Sequence, residues 1–216
     1  MSGVRPPTPR LIALSPGTLA AGDCAQFESR LHAAVRAGLP GLLLREAGLG
    51  DRRLLELGVL ARSLGARWVG VHDRVHLGAS GVFAGVHLGF RWVSPALARE
   101  QLDEAVALGL SVHESDADAL LEPVDYAFFG PVHATPSKVG LLEPVGVEGL
   151  RAAVERYSRP LWALGGIDAA RASELSELAG LGGIAVRAAV FEAADPGAAV
   201  SALRAALGLP PAATSP

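Results

Sequence analysis

The chain has 216 residues, half of them hydrophobic, and a formal net charge of −3, which suffices for one sizeable core and is short for two domains. Near-neutral charge gives no electrostatic reason to expect nucleic acid or an anionic membrane as partner, and no apolar run approaches the ~20 residues of a membrane span. The single cysteine, Cys24, excludes an internal disulfide and a zinc–thiolate cluster. The opening M-S-G-V-R-P-P-T-P-R places prolines where a signal peptide needs its apolar segment, so the expected location is cytoplasmic.

In chain order, short apolar runs read as strands at Leu11–Ser15, Gly41–Arg45, Arg67–His72, Gly85–Leu88, Leu110–His113, Tyr126–Gly130, Leu161–Leu164 and Gly183–Val186. Several are continuous apolar stretches, as expected of parallel strands covered on both faces. Between them lie helical patterns at Phe27–Ala37, Asp51–Leu64, Ser94–Leu108, Asp116–Leu121, Val147–Glu155, Asp168–Ala179 and Gly197–Leu207, with a single turn expected at Val75–Ala79. Asp51, Ser94, Asp116 and Asp168 stand where side-chain oxygens cap helix starts. Eight strand–helix alternations without a change of composition imply a single-domain (β/α)8 TIM barrel over residues 10–207; an open doubly wound sheet is the alternative. Residues 1–9 and 208–216, rich in Pro, Ala and Ser, are expected to be loose tails.

The unusual polar residues fall at strand ends, which share one face of a barrel, the face where active sites are built. They are Arg45-Glu46, His72-Asp73-Arg74, His87 followed by Arg91, Ser111 with His113, the run G-P-V-H-A-T-P-S-K at 130–138, Gly165-Gly166, and Arg187. Gly165-Gly166-Ile167-Asp168 follows an apolar strand and opens a helix, an arrangement whose backbone N–H groups and dipole suit a phosphate. Among eighteen arginines stands one lysine, Lys138, a flexible ammonium beside Thr135 and Ser137.

These motifs carry a resemblance. Residues 125–138, D-Y-A-F-F-G-P-V-H-A-T-P-S-K, resemble the D-Y-x-x-x-G-P-V-F-x-T-x-[ST]-K signature of thiamin phosphate synthases. Residues 72–89, H-D-R-V-H-L-G-A-S-G-V-F-A-G-V-H-L-G, are similar to that family's N-D-R-x-D-x-A…G-x-H-L-G. L-R-E at 44–46, S-V-H at 111–113 and A-L-G-G-I at 163–167 keep its order and spacing. The chain is thereby identified as a member of the thiamin phosphate synthase/TenI superfamily. Its synthases join a pyrimidine methyl pyrophosphate to a thiazole phosphate with Mg²⁺ helping pyrophosphate to leave. The resemblance implies that Arg45 contacts pyrophosphate, Asp73 is a magnesium ligand and Ser111 sits near the pyrimidine. It also implies that Thr135, Ser137 and Lys138 bind phosphate oxygens and that Gly165-Gly166 cradles a phosphate.

The departures set the expected reaction. The family's Q-x-R-E-K is here Leu43, Arg45, Glu46 and Ala47, and Phe90-Arg91-Trp92 replace the Q-x-D that carries its second metal-binding acid. Arg91 adds a cation: two like charges ~6 Å apart repel by roughly 3 kcal/mol at an effective dielectric of ~20. The expectation is therefore no cofactor, with Arg91 standing in for the metal's charge, and Mg²⁺ only if the synthase reading holds. The favoured reading is a metal-independent, TenI-like thiazole tautomerase with His133, His72 or His113 as the proton carrier. Positions i and i+2 share a side of an extended segment, so His133 is expected to face the pocket that Pro131 lines. The alternatives are a synthase and a non-catalytic phosphate-ligand barrel. The expected partner is a small phosphorylated heterocycle such as thiazole phosphate or thiamin phosphate, and a homo-oligomer is left open.

Overall fold

The computed structural model describes residues 5–20, 24–89, 93–135 and 143–212. Eight parallel strands close in sequence order into a barrel: β1 (Leu11–Leu14), β2 (Gly41–Leu44), β3 (Trp68–His72), β4 (Gly85–Leu88), β5 (Ala107–Val112), β6 (Tyr126–Phe129), β7 (Leu161–Leu164) and β8 (Gly183–Val186). The open sheet is thereby excluded. Around the barrel run α1 (Cys24–Arg36), α2 (Asp51–Ser63), α3 (Pro95–Glu100), α4 (Gly146–Arg156), α5 (Ala169–Ser176), α6 (Ala188–Phe191) and α7 (Pro196–Ala206), with 3₁₀ turns at Val75–Ser80 and Asp118–Leu121. None of the described helices is long and apolar enough to cross a membrane.

Period-2 alternation divides each strand between two cores. Outward residues such as Leu42, Val69, Val71, Val86, Leu108 and Ala127 pack against helices that bury one stripe each, as α1 does with Phe27, Leu31, Ala34 and Val35. Inward residues form a second cluster: Ile12, Leu14, Leu43, Trp68, Ala107, Tyr126, Phe128, Trp162 and Ala185. The large aromatics fit because glycines face them. A β-carbon on Gly70 or Gly85 would lie 2.5 Å from the Trp68 ring, and one on Gly109 would collide with the Tyr126 ring and stand 2.6 Å from His87 Nδ1.

The sequence expectations fail at four instructive places. The helix expected over Ser94–Leu108 stops at Glu100, because Asp103 folds the chain into a turn, accepting from Ala105 N at 2.8 Å through Oδ1 and from Val106 N at 2.9 Å through its carbonyl. Asp125 Oδ2 then takes Leu108 N at 2.8 Å and β5 is already under way. Ser94 and Asp168 do cap α3 and α5, accepting from Leu97 N and Arg171 N. Asp51 does not cap: it lies inside α2 after Gly50 and faces Arg74 and His76 instead. Asp116 accepts from His113 N at 2.7 Å, within the turn before the 3₁₀ segment. Finally, residues 5–9, expected to be loose, are tied across the strand N-termini: Arg5 pairs with Asp125, and Trp162 Nε1 donates to Pro9 O at 2.8 Å.

Because the interior has no spare volume at position 109, Gly109→Ala should destabilise the fold by about 1–3 kcal/mol, the usual cost of overpacking a filled core. Chemical denaturation checks this; unchanged stability would mean that the Tyr126 ring is free to move aside.

Candidate active site at the C-terminal rim

The rim is built first from backbone. Arg45 N donates to Ser15 Oγ at 2.8 Å, joining the ends of β1 and β2. Glu46 is buried, and its carboxylate accepts Gly17 N at 2.7 Å and Leu19 N at 2.8 Å. The acid of L-R-E is therefore a clamp on the loop after β1, satisfying two inward-turned N–H groups. It leaves Arg45 exposed at the rim.

On β3 and β4, His72 and His87 occupy paired register positions with ring centroids 5.8 Å apart. The next residue, Asp73, takes the left-handed conformation at φ 58°, rare for a residue with a β-carbon. The turn brings its carboxylate to Gly89 N at 2.7 Å through Oδ1 and to His72 Nδ1 at 2.8 Å through Oδ2. Burial pushes the Asp73 carboxyl up. The hydrogen bonds from His72 and Gly89, with the charges of His72 and Arg45, outweigh it, and the net shift is down.

One strand further in, His87 is buried at 1% exposure. Its Nε2 meets Ser111 Oγ at 2.9 Å, its Nδ1 meets Tyr126 Oη at 3.3 Å, and its ring stacks on Phe128 with centroids 3.9 Å apart. Burial first, with the neighbouring His72 and Arg45 adding to it, drives its pKa well below the ordinary histidine value. Arg45, His72, Asp73, His87 and Ser111 thus form one polar wall over β2 to β5.

The facing wall comes from β6 to β8. Gly165 and Gly166, at φ 104° and 61°, lie under the loop after β6; a β-carbon would strike Pro131 at the first and His133 or Ala134 at the second. His133 N donates to Gly165 O at 3.2 Å, and Arg171 donates to Gly166 O from the first turn of α5. Thr135 is half-buried in the same loop. Arg187 stands at the N-cap of α6 and reaches Glu192 at 3.5 Å.

Two of the three candidate histidines stand apart from the polar wall. The charges that act on His133 are Arg171, Glu174 and Asp168, all at α5, and its Nε2 is buried without a hydrogen-bond partner among the described residues. The loop after β6 sets His133 over Gly166, where an added β-carbon would come within 2.9 Å of the His133 β-carbon. His113 turns to Asp116, Nδ1 to Oδ2 at 3.5 Å, while Tyr157 holds its carbonyl. His72 remains on the wall. Arg91, Ser137 and Lys138 lie outside the described residues. The partnership of His87 with Tyr126 leaves no trace in the sequence beyond glycines at 85, 89 and 109.

The folded chain excludes a proton from His87 that the unfolded chain accepts below about pH 6.5. Its stabilising contribution is complete above that pH and is lost as pH falls, by up to about 1.4 kcal/mol per pH unit. His133, lowered by burial and Arg171, acts in the same direction, and Asp73, also lowered, adds its loss only below about pH 4. Thermal midpoints should fall between pH 7.5 and pH 5, and His87→Gln should flatten the slope; a flat parent profile would contradict the burial assigned to His87.

Comparison with known proteins gives the family and agrees with the fold. The family model described as thiamine monophosphate synthase matches residues 18–190. A thiamine-phosphate synthase of Chloroflexus aurantiacus is 37% identical over 181 residues, covering 81% of this chain and 82% of its own. One from Albidiferax ferrireducens is 37% identical over 177 residues, covering 80% of each. The solved thiamine phosphate pyrophosphorylase of Pyrococcus furiosus superposes with a TM-score of 0.76 at 26% identity, covering 92% of this chain and 95% of that one. With its closed eight-stranded barrel and these relatives, the chain belongs to the thiamine monophosphate synthase family.

Proposed function

We propose that the chain is a transferase that joins a pyrimidine methyl pyrophosphate to a thiazole phosphate, the reaction of the synthases it resembles, and not the tautomerase that the sequence alone favoured. The observation that supports this most is a rim with two facing walls: Ser111 and Arg45 on one side, the Gly165-Gly166 loop on the other. Two substrates can meet between them. The pyrimidine methylene carbon loses its bond to oxygen, whose electron pair leaves on pyrophosphate. The thiazole nitrogen supplies the lone pair for the new carbon–nitrogen bond.

The chain's part is binding and charge. Arg45 meets pyrophosphate oxygens with charge-assisted hydrogen bonds. Ser111 orients the pyrimidine. The N–H groups around Gly165-Gly166 hold the thiazole phosphate, joined by Thr135, Ser137, Lys138 and Arg187. The magnesium ion that the resemblance implies does not fit the residues present. Asp73 offers one carboxylate, already engaged by His72 and Gly89, and residues 90–92 contain no acid, whereas Mg²⁺ asks for several oxygen ligands in near-octahedral order. Guanidinium groups, Arg45 and Arg91, carry that neutralising charge here.

A second reading, isomerisation of a carboxythiazole phosphate, has one observation in its favour. Asp73 binds His72 Nδ1 at 2.8 Å, which leaves Nε2 to take up a proton. His72, rather than His133, is then the base.

Product analysis separates the readings. Purified protein given both substrates should release thiamin phosphate and pyrophosphate, with activity persisting in EDTA. Arg45→Ala should lower kcat/KM by roughly 30–100-fold, about 2–3 kcal/mol of lost charge-assisted hydrogen bonding. Conversion of carboxythiazole phosphate without coupling, abolished by His72→Ala, supports the second reading. Binding without any turnover supports a non-catalytic ligand barrel and contradicts both.

A further inference from the structure

Inside the barrel Tyr126, His87 and Ser111 form one connected line of polar atoms, and that line has a direction. Tyr126 is fully buried, and its hydroxyl has one partner among the described residues, His87 Nδ1 at 3.3 Å. Burial, helped by the charge of Asp125, pushes the phenol's pKa up, so it keeps its proton. A phenol O–H whose one neighbour is a ring nitrogen donates to it. Nδ1 is then the lone-pair nitrogen of the imidazole. His87 is 1% exposed with a hydroxyl, not a carboxylate, at each ring nitrogen, a setting that disfavours its cation, so its single proton sits on Nε2. That N–H faces Ser111 Oγ at 2.9 Å. With that tautomer the serine oxygen accepts from inside the barrel, which frees its own hydrogen for the rim.

We propose that His87 is a positioning residue that, with its tautomer set by Tyr126, makes Ser111 a hydrogen-bond donor to the bound heterocycle. The ligand atom opposite Ser111 must then carry a lone pair, as an unprotonated ring nitrogen does, and a ring N–H there is rejected. The opposite tautomer would reverse this choice: Ser111 would donate inward and offer only lone pairs outward. Tyr126 therefore selects the polarity of a contact it does not touch. Surroundings reinforce the arrangement: Phe128 stacks on the imidazole, and the space that Gly109 leaves lets Tyr126 and His87 come together. That the heterocycle is a pyrimidine rests on the proposed reaction; the direction of the line does not.

Nitrogen-15 NMR of the imidazoles in the ligand-free full chain reads the tautomer directly. Protonation of His87 at Nε2, with Nδ1 bare, supports the proposal, and protonation at Nδ1 overturns it whatever the enzyme does. Kinetics with pyrimidine methyl pyrophosphate supply the second arm. Tyr126→Phe should raise KM on the order of tenfold, the worth of one well-placed hydrogen bond, with kcat changing much less. His87→Gln, whose amide N–H can replace Nε2–H, should restore a KM that His87→Leu loses. Equal KM values for His87→Gln and His87→Leu, each folded by circular dichroism, would overturn the positioning role. An Nε2 tautomer in a parent chain that binds no pyrimidine would contradict the proposed reaction and uphold the direction of the line.

Discussion

The polar wall over β2 to β5 depends on keeping one imidazole neutral inside an apolar barrel. A buried polar group costs several kcal/mol unless its hydrogen bonds are made. His87 meets that condition with a partner on each nitrogen, Tyr126 below and Ser111 above. The condition reaches into the rest of the barrel. Tyr126 can stand beside His87 only because position 109 has no β-carbon, and Phe128 covers the ring face that would otherwise be open. Packing and polarity are one problem here: the glycine that relieves the crowding also permits the hydrogen bond.

The two walls are held by different physics. The wall over β2 to β5 is electrostatic, with Arg45, the His72–Asp73 pair and the neutral His87 arranged so that positive charge stays near the surface and the interior carries none. The wall over β6 to β8 is backbone: glycines at positive φ, a loop folded closely over them, and Arg171 tied to a loop carbonyl. Such a loop is held in place before any ligand arrives, which suits a phosphate anchor. Asp73 belongs to the first wall as a hinge of hydrogen bonds. Its strained turn joins the ends of β3 and β4, a structural use that competes with metal ligation.

Much of this was legible in the sequence. All eight strands were, since continuous apolar runs between glycines and prolines leave few other choices, and so was their collection of polar ends at one rim. The fifth strand started earlier than expected because Ala98, Leu102 and Val106 keep a helical i, i+4 spacing, and only the turn at Asp103 breaks it. Asp51 and Asp116 look like caps in one dimension, yet each has a better partner in three: Arg74 and His76 for the first, His113 N for the second. The roles of His87, Tyr126 and Glu46 were hidden because a buried histidine, tyrosine or glutamate carries no periodic signature. Its meaning lies in which atoms face it across the barrel.

The central claim is that a single rim, without a magnesium site at Asp73, binds a phosphorylated heterocycle between these two walls. A crystal structure with thiazole phosphate and a pyrimidine pyrophosphate, grown with Mg²⁺ present, tests it most directly. The expected result places one phosphate on the Gly165-Gly166 backbone, a pyrimidine ring nitrogen against Ser111 Oγ, and guanidinium groups around the pyrophosphate. An octahedral ion ligated by Asp73, or ligands seated away from this rim, would contradict it.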